Sequence, residues 1–145
     1  VELSLPVVVT EQYPKGLGRT GAIVEAKLAA VAPGKLVRAE KLEFNAACAP
    51  PVAAALAKLG MRSWVLCGME CHVCVYMTAR EVVRRGYATH VVEDAVASRT
   101  EDNRAAGLRL IERAGAVLTT TETVVFDLLG KAGTSAFKAL SPLLR

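Results

Sequence analysis

The chain has 145 residues, of which 52% are hydrophobic, so it can bury a substantial core and is not globally disordered. It has neither the roughly 18–20 consecutive apolar residues of a membrane-spanning helix nor the pattern of a signal peptide. Its net charge of +4 is mild and scattered, which predicts neither a nucleic-acid partner nor a membrane partner.

Short valine-rich segments alternate with alanine- and leucine-rich segments, which is the order expected for a parallel sheet with helices on its faces. Strands are predicted at Pro6–Thr10, Lys35–Glu40, Ser63–Cys67, Thr89–Glu93 and Val117–Thr120. Helices are predicted at Ile23–Val31, Pro50–Leu59, Val73–Arg85, Asn103–Ala114, Glu122–Leu129 and Ser135–Leu144. No repeat or linker divides the chain, so we predict one α/β domain over residues 1–145 with a doubly wound, Rossmann-like parallel sheet.

Three loops of this predicted sheet are candidates for the functional site, because ligands bind outside the carboxyl ends of parallel strands. These loops follow Thr10, Cys67 and Glu93. The second follows Ser63–Cys67, which reads as a buried strand and leads into a segment that contains Cys71 and Cys74. The functional site is therefore expected at these loops.

Cys74 is predicted to lie at the first turn of the helix that follows this strand. Unpaired backbone N–H groups and the helix dipole stabilise a thiolate at such a turn, and the same N–H groups can donate to an oxyanion. Most unpaired cysteines are nevertheless small buried apolar residues, an interpretation that suits Cys67 and Cys48 well. The residues alone leave both interpretations open.

Two further interpretations concern the Cys71-His72-Val73-Cys74 segment. It has the spacing of a redox pair, although the preceding strand lies in the middle of the chain rather than early in it. A zinc site would need four ligands, whereas the second histidine of the chain, His90, lies in a predicted strand. We predict no metal and no cofactor, and the cysteine pattern without a signal peptide predicts a reducing, cytoplasmic compartment.

The segment from Gly68 to Ser98 resembles the central signature of the isochorismatase-like cysteine hydrolases. It reads Gly-x-x-x-x-x-Cys-Val-x-x-Thr-Ala, then Arg-Gly-Tyr, then Val-Val-Glu-Asp-Ala-Val-Ala-Ser. This resemblance implies that Cys74, rather than Cys71, is the nucleophile. It also implies a cis peptide bond between Met69 and Glu70, and an oxyanion hole formed by the backbone amides near Glu70 and Cys74.

Two upstream segments extend the resemblance. Residues 41–45, Lys-Leu-Glu-Phe-Asn, are similar to the Lys-x-x-Phe-Ser segment of the family, which makes Lys41 a catalytic residue that places positive charge near the thiolate. Residues 10–18 resemble a pocket loop of the subgroup of isochorismatase domain-containing proteins. The residues that the resemblance implies for a substrate pocket are Gln12, Tyr13, Phe44, Met69 and Thr78.

One element of the family pattern is absent from the sequence. The family carries a catalytic aspartate in an Asp-x-Gln segment at the end of its first strand, whereas residues 1–10 correspond to its second strand. Loss of the first strand and first helix predicts a large exposed apolar edge of the sheet. Two explanations are open: the sequence is incomplete, or the chain is a truncated form that folds with the help of another molecule. Substitute bases are conceivable at Glu11, Glu43 or Glu70, but nothing in the sequence selects one of them.

These observations predict a hydrolase that acts on a small amide, carbamoyl or related substrate through a cysteine nucleophile. A small molecule is the expected partner, and the apolar composition together with the resemblance leads us to expect a homo-oligomer. In this chain, the loop that corresponds to the one after the family's second strand contains no histidine. A nicotinamidase-type metal centre is therefore not expected. Two alternatives are an inactive family member that serves as an interaction or scaffold protein, and a Cys71–Cys74 redox protein.

Overall fold

A computed structural model describes residues 2–144; Val1 and Arg145 lie outside the described residues. The strands are Val7–Gln12 (β1), Leu36–Lys41 (β2), Ser63–Met69 (β3), Ala88–Ala97 (β4) and Val117–Thr119 (β5). The α-helices are Pro14–Leu17 (α1), Ala22–Leu28 (α2), Pro50–Lys58 (α3), Tyr76–Arg84 (α4), Glu101–Arg113 (α5), Thr121–Leu129 (α6) and Ser135–Leu140 (α7). A π-helical turn spans Cys71–Val75, and 3-10 turns span Ala46–Cys48 and Ser141–Leu144. No helix within residues 2–144 is long and apolar enough to cross a membrane.

The strands form two separate parallel sheets, which confirms the predicted α/β fold of parallel strands flanked by helices. In the first sheet β1 pairs with β2, from Val7 opposite Leu36 to Gln12 opposite Lys41. In the second sheet the order is β3-β4-β5. The described residues therefore leave one edge of β1 and one edge of β3 without a partner strand.

A cleft of about 640 Å³ lies between the two sheets, and residues of β1 and β3 line much of it. The prediction that Ser63–Cys67 is a buried strand is wrong for this structure. The strand exists, but Val65 is 46% exposed and Met69, at its end, is 66% exposed. The reason is that an apolar strand becomes buried only when further strands or helices cover it, and one edge of β3 borders the open cleft instead.

Helix α4 packs against both sheets. Ala79 of α4 packs in a core cluster with Val91 of β4 and Ile111 of α5, both fully buried. One turn further on, Val82 packs in a second cluster that includes Ala39 of β2 and the buried face of α3. Burial of an aliphatic side chain of this size contributes about 1.5–3 kcal/mol. The two sheets are thus held in one unit by a shared helix rather than by strand pairing.

Two boundaries differ from the prediction in ways that matter for the site. β4 continues to Ala97 instead of ending at Glu93, because Gly68 and Met69 of β3 pair with Val96 and Ala97 after a shift in register. The helix predicted from Val73 begins as the π-helical turn Cys71–Val75. The third candidate loop therefore follows Ala97 and lies beside the cysteine turn.

Candidate active site

Lys41, the last residue of β2, is a buried lysine that contacts Cys74. Its side chain is 5% exposed. Its Nζ donates hydrogen bonds to Gln12 Oε1 at 2.5 Å and to the Glu43 carbonyl at 2.9 Å, and it lies 3.7 Å from Cys74 Sγ. Lysines are almost never fully buried unless they are paired, and here both oxygen acceptors are neutral. The ammonium group is therefore held at a fixed point facing the thiol.

Cys74 reaches this position from the π-helical turn after β3. The Glu70 carbonyl accepts hydrogen bonds from Val73 N at 3.1 Å and Val75 N at 3.2 Å, which close the turn around Cys74. Short π-helical segments occur frequently at functional sites, where they re-aim a side chain. Cys74 is partly accessible, unlike its neighbour Cys71, which is fully buried.

The backbone that leads into this turn has the conformation that the resemblance implied. The Met69–Glu70 peptide bond is cis. Gly68 has a φ of +113°, a conformation that side chains with a Cβ rarely adopt, so glycine is required there. These two features direct the chain from the end of β3 into the cysteine turn.

None of the three glutamates named as conceivable bases provides a carboxylate at Lys41. The Glu11 carboxylate accepts hydrogen bonds from Thr20 N and Thr20 Oγ1, both at 2.7 Å, and these bonds with the nearby Arg19 lower the pKa of Glu11. Glu70 pairs with Arg99 instead. Within residues 2–144 no ion pair includes Lys41, so its positive charge is not neutralised by a carboxylate of the described chain.

The structure brings some of the predicted pocket residues together and leaves others apart. Gln12 bonds to Lys41 through Oε1 and to the Leu42 carbonyl through Nε2 at 2.8 Å. Met69 and Thr78 line the cleft together with Cys74. Tyr13 and Phe44 are both at least half exposed and are not among the residues that line the cleft.

The other cysteines differ from Cys74 in environment. Burial raises the pKa of the fully buried Cys71 thiol, whose Sγ lies 3.7 Å from the Arg104 carbonyl on α5. Cys71 and Cys74 thus contact different elements, which does not favour a redox pair. The expectation that Cys67 and Cys48 are buried is wrong, since both are exposed. Cys67 lies on the open cleft, although the apolar atoms around its thiol raise its pKa.

Sequence reasoning missed a polar cluster beside the cysteine turn. His72 Nδ1 lies 3.0 Å from Ser98 Oγ. The position of Ser98 in the sequence could have indicated this contact. Ser98 ends the segment that resembles the family and comes just after β4, the strand that pairs with β3.

A second depression, of about 420 Å³, lies on the β1–β2 sheet away from Cys74. Its charged side chains pair with one another, as in the contacts of Arg19 with Glu11 and Glu40 and of Arg38 with Glu25. Such pairing explains these side chains as structural. Cys67 and Cys74 line the larger cleft instead.

Comparison with known proteins identifies a family match over most of the chain. The family model of the isochorismatase domain matches residues 2–123. Isochorismatase domain-containing protein 1 from Danio rerio is 40% identical over 144 residues, which are 99% of this chain and 48% of that protein. The chain thus spans about half the length of the first curated relatives that it matches.

Solved structures show the same fold. The MAR1 ribonuclease from Caenorhabditis elegans superposes with a TM-score of 0.88 at 38% identity, over 99% of this chain and 71% of that one. The nicotinamidase SaPncA from Staphylococcus aureus superposes with a TM-score of 0.71 at 17% identity, over 81% of this chain and 76% of that one, a similarity of fold alone. By its match over most of its length and its parallel α/β fold, this chain belongs to the isochorismatase domain family and has the fold of its hydrolases.

Proposed function

We propose that this domain is a cysteine hydrolase in which Cys74 is the nucleophile and Lys41 the residue that stabilises its thiolate. The observation that carries the proposal is the 3.7 Å contact between the Cys74 thiol and a buried ammonium group that no carboxylate of residues 2–144 neutralises. An opposite charge at this distance favours the ionised form of a thiol, and the thiolate is the reactive species.

The substrate that fits this chemistry is a small amide, carbamoyl compound or related molecule. The Cys74 sulfur would attack the carbonyl carbon, and the proton lost by the thiol is available for the leaving nitrogen. The amine then departs, a thioester remains on Cys74, and water cleaves it to release the acid and regenerate the thiol. The backbone amides near Glu70 and Cys74 are the groups we assign to the oxyanion of each tetrahedral intermediate.

We also propose that the active form contains one more strand between β1 and β3. Both facing edges are open in the described residues, and the cleft between them is mostly apolar. Among residues 2–144 Lys41, at the end of β2, has no carboxylate partner. The family resemblance implies an Asp-x-Gln segment at the end of such a strand. This arrangement would bring a carboxylate to the Lys41–Cys74 contact.

The open cleft also supports a second candidate function, that of an inactive family member that binds a partner. Exposed strand edges readily pair with another chain. An interaction protein of this kind would not need a reactive Cys74. Replacement of Cys74 by serine would then change neither the binding of the partner nor any hydrolytic activity.

We infer in addition that the chain assembles as a homo-oligomer. Several large apolar side chains on one stretch of the chain are more than half exposed, including Leu17, Ile23 and Leu42. Light scattering after size-exclusion chromatography would measure the assembly state, and a monomer at micromolar concentration would contradict this inference.

The deciding experiment measures the reactivity of Cys74 directly. Iodoacetamide at pH 7, with the modified cysteine located by fragment-ion mass spectrometry, should modify Cys74 at least about tenfold faster than a cysteine in an unfolded peptide. An equal rate would contradict the hydrolase proposal. A panel of small amides, carbamates and an RNA oligomer should then identify a substrate whose turnover Cys74→Ser abolishes.

The additional strand has a test of its own. The sequence that precedes the matched region in the Danio rerio relative can be fused ahead of Val1. Hydrogen exchange should slow at amides of both β1 and β3 in the fusion, because a strand that fills the cleft would pair with both edges. Unchanged exchange at either strand would contradict the proposal.

A further inference from the structure

A second side-chain cluster lies at the cysteine turn. It consists of Glu70, His72 and Ser98. His72 Nδ1 lies 3.0 Å from Ser98 Oγ and 3.7 Å from Glu70 Oε2. The side chains of His72 and Glu70 are largely buried. The Lys41–Cys74 contact uses none of these three side chains.

This cluster links the ends of two neighbouring strands. The Glu70 carboxylate accepts a hydrogen bond from Arg99 N at 3.2 Å and pairs with Arg99 Nε at 3.4 Å. Glu70 follows the last residue of β3, and Ser98 and Arg99 follow the last residue of β4. The two strand ends are therefore connected through side chains as well as through their backbone register.

Helix α5 confines the same turn from another side. A Cβ placed on Gly107 would lie 2.7 Å from His72 N and 2.8 Å from His72 Cα. Real Cβ atoms do not approach backbone this closely, so the backbone of α5 rests directly against the turn. The Cys71 side chain, fully buried, anchors the turn to the core beside α5.

His72 can keep its contact with Ser98 whether or not it is protonated. A neutral imidazole can accept from the Ser98 hydroxyl or donate to it, because a hydroxyl group has both capacities. A protonated imidazole donates to Ser98 and is also attracted to the Glu70 carboxylate. The arrangement therefore suits a group that holds position across the neutral pH range.

We propose that His72 is a positioning residue for Cys74. Its imidazole, held by Ser98 and Glu70, fixes one side of the π-helical turn, and Cys74 on the same turn is thereby kept beside Lys41. The inference rests on the proposed role of Cys74 as nucleophile. His72 acts through the backbone of the turn and does not touch the reacting atoms, so its effect is expected in the reactivity of the thiol.

Four variants test this role: His72→Ala, His72→Asn, Ser98→Ala and, as a matched control, His90→Asn. His90 lies in β4 and is the second histidine of the chain. Each variant is treated with iodoacetamide at pH 7, the rate at Cys74 is measured by mass spectrometry, and thermal unfolding confirms that the protein is folded.

His72→Ala should lower the rate at Cys74 about three- to tenfold, the effect of losing one ordinary hydrogen bond. Ser98→Ala should lower it in the same direction. His72→Asn should restore most of the rate, because its side-chain amide can still bond to Ser98. His90→Asn should leave the rate unchanged.

Two results would overturn the inference. One is a His72→Ala rate within twofold of the parent. The other is an equal loss in His72→Asn and His72→Ala, which would indicate a packing role only. The test compares modification rates between variants. It can therefore be interpreted even if Cys74 of the parent is modified no faster than a cysteine in an unfolded peptide. That slow parent rate would contradict the proposed function by itself.

Discussion

Lys41 Nζ and Cys74 Sγ lie 3.7 Å apart although the strands that lead to them belong to two sheets that share no strand pairing. Lys41 ends β2 in the first sheet, and Cys74 follows β3 of the second sheet. Their distance therefore depends on how α4 packs against both sheets. A change in that packing should affect the site even when neither residue is altered.

Replacement of Lys41 by methionine keeps most of the side-chain volume and removes the charge. We expect iodoacetamide to modify Cys74 at least about tenfold more slowly at pH 7, because the ammonium group no longer stabilises the thiolate. Lys58→Met, at an exposed position near the end of α3, is the matched control and should have no effect. If Cys74 in Lys41→Met is modified at the parent rate, the proposed electrostatic role of Lys41 is contradicted.

Thr78 connects α4 to the segment that follows Lys41. Its Oγ1 accepts a hydrogen bond from Ala46 N at 2.9 Å, and the bond is buried. Thr78→Val would leave that N–H without a partner and should cost about 1–3 kcal/mol in the free energy of unfolding measured with urea. Thr78→Ser keeps the hydroxyl, loses only the methyl group and should cost clearly less. Equal losses in the two variants would show that the hydrogen bond contributes no more to stability than the methyl group, which would contradict the prediction.

Gly107 allows α5 to approach the cysteine turn. In Gly107→Ala the new methyl group would lie 2.7 Å from His72 N, which requires the helix or the turn to move. This overlap should exceed the gain of about 1 kcal/mol that alanine gives inside a helix, for a net loss of about 1–3 kcal/mol.

Gly21→Ala serves as the control for this substitution, since a Cβ added at Gly21 would have no atom within 4 Å outside its chain neighbours. Because Gly21 is the N-cap of α2, where alanine is less favourable than glycine, this variant should lose about 1 kcal/mol or less in the free energy of unfolding. A Gly107→Ala protein as stable as the parent would show that α5 can shift without cost.

Glu81 should make the stability of the protein depend on pH in the acid range. Hydrogen bonds from Arg84, and then from Arg85, lower the pKa of Glu81 from 4.5 to about 2. A carboxylate with a lowered pKa stabilises the folded state above its unfolded pKa, and this contribution is lost as the pH falls through the folded value. The thermal unfolding midpoint of the parent should therefore decrease as the pH is lowered from about 4.5 to about 2.

In Glu81→Gln this decrease should be smaller over the same pH range, whereas Glu112→Gln, at an exposed position near the end of α5, should follow the parent curve. Parallel curves for the parent and Glu81→Gln would contradict the role of the Arg84 and Arg85 contacts.

Much of the secondary structure could be predicted because local patterns dominate it. Pro50–Lys58 and Thr121–Leu129 lie within one residue of the predicted helices, each marked by proline or capping residues and an apolar periodicity. The end of β4 could not be predicted in this way. It depends on pairing with Gly68 and Met69, which are about 28 residues distant in the sequence, a non-local contact that no short window contains.

The candidate site shows the same division. Resemblance to the family selected Cys74 and Lys41, and the structure places them in contact, although their catalytic roles remain predictions. The burial of Cys67 was predicted incorrectly, because the composition of a strand does not reveal whether a neighbour covers it. The contact of His72 with Ser98 was missed, because it joins residues separated by 26 positions.

The sequence by itself determined the α/β class, the family and the identity of the cysteine at the turn after β3, since these depend on local patterns and on matched motifs. Only the tertiary structure decided that Lys41 is buried against Cys74, that no glutamate of the described residues neutralises it, and that an open cleft separates the two sheets. The physical reason is that charge compensation and burial depend on which distant segments meet in space, and that arrangement follows from the packing of α4 against both sheets.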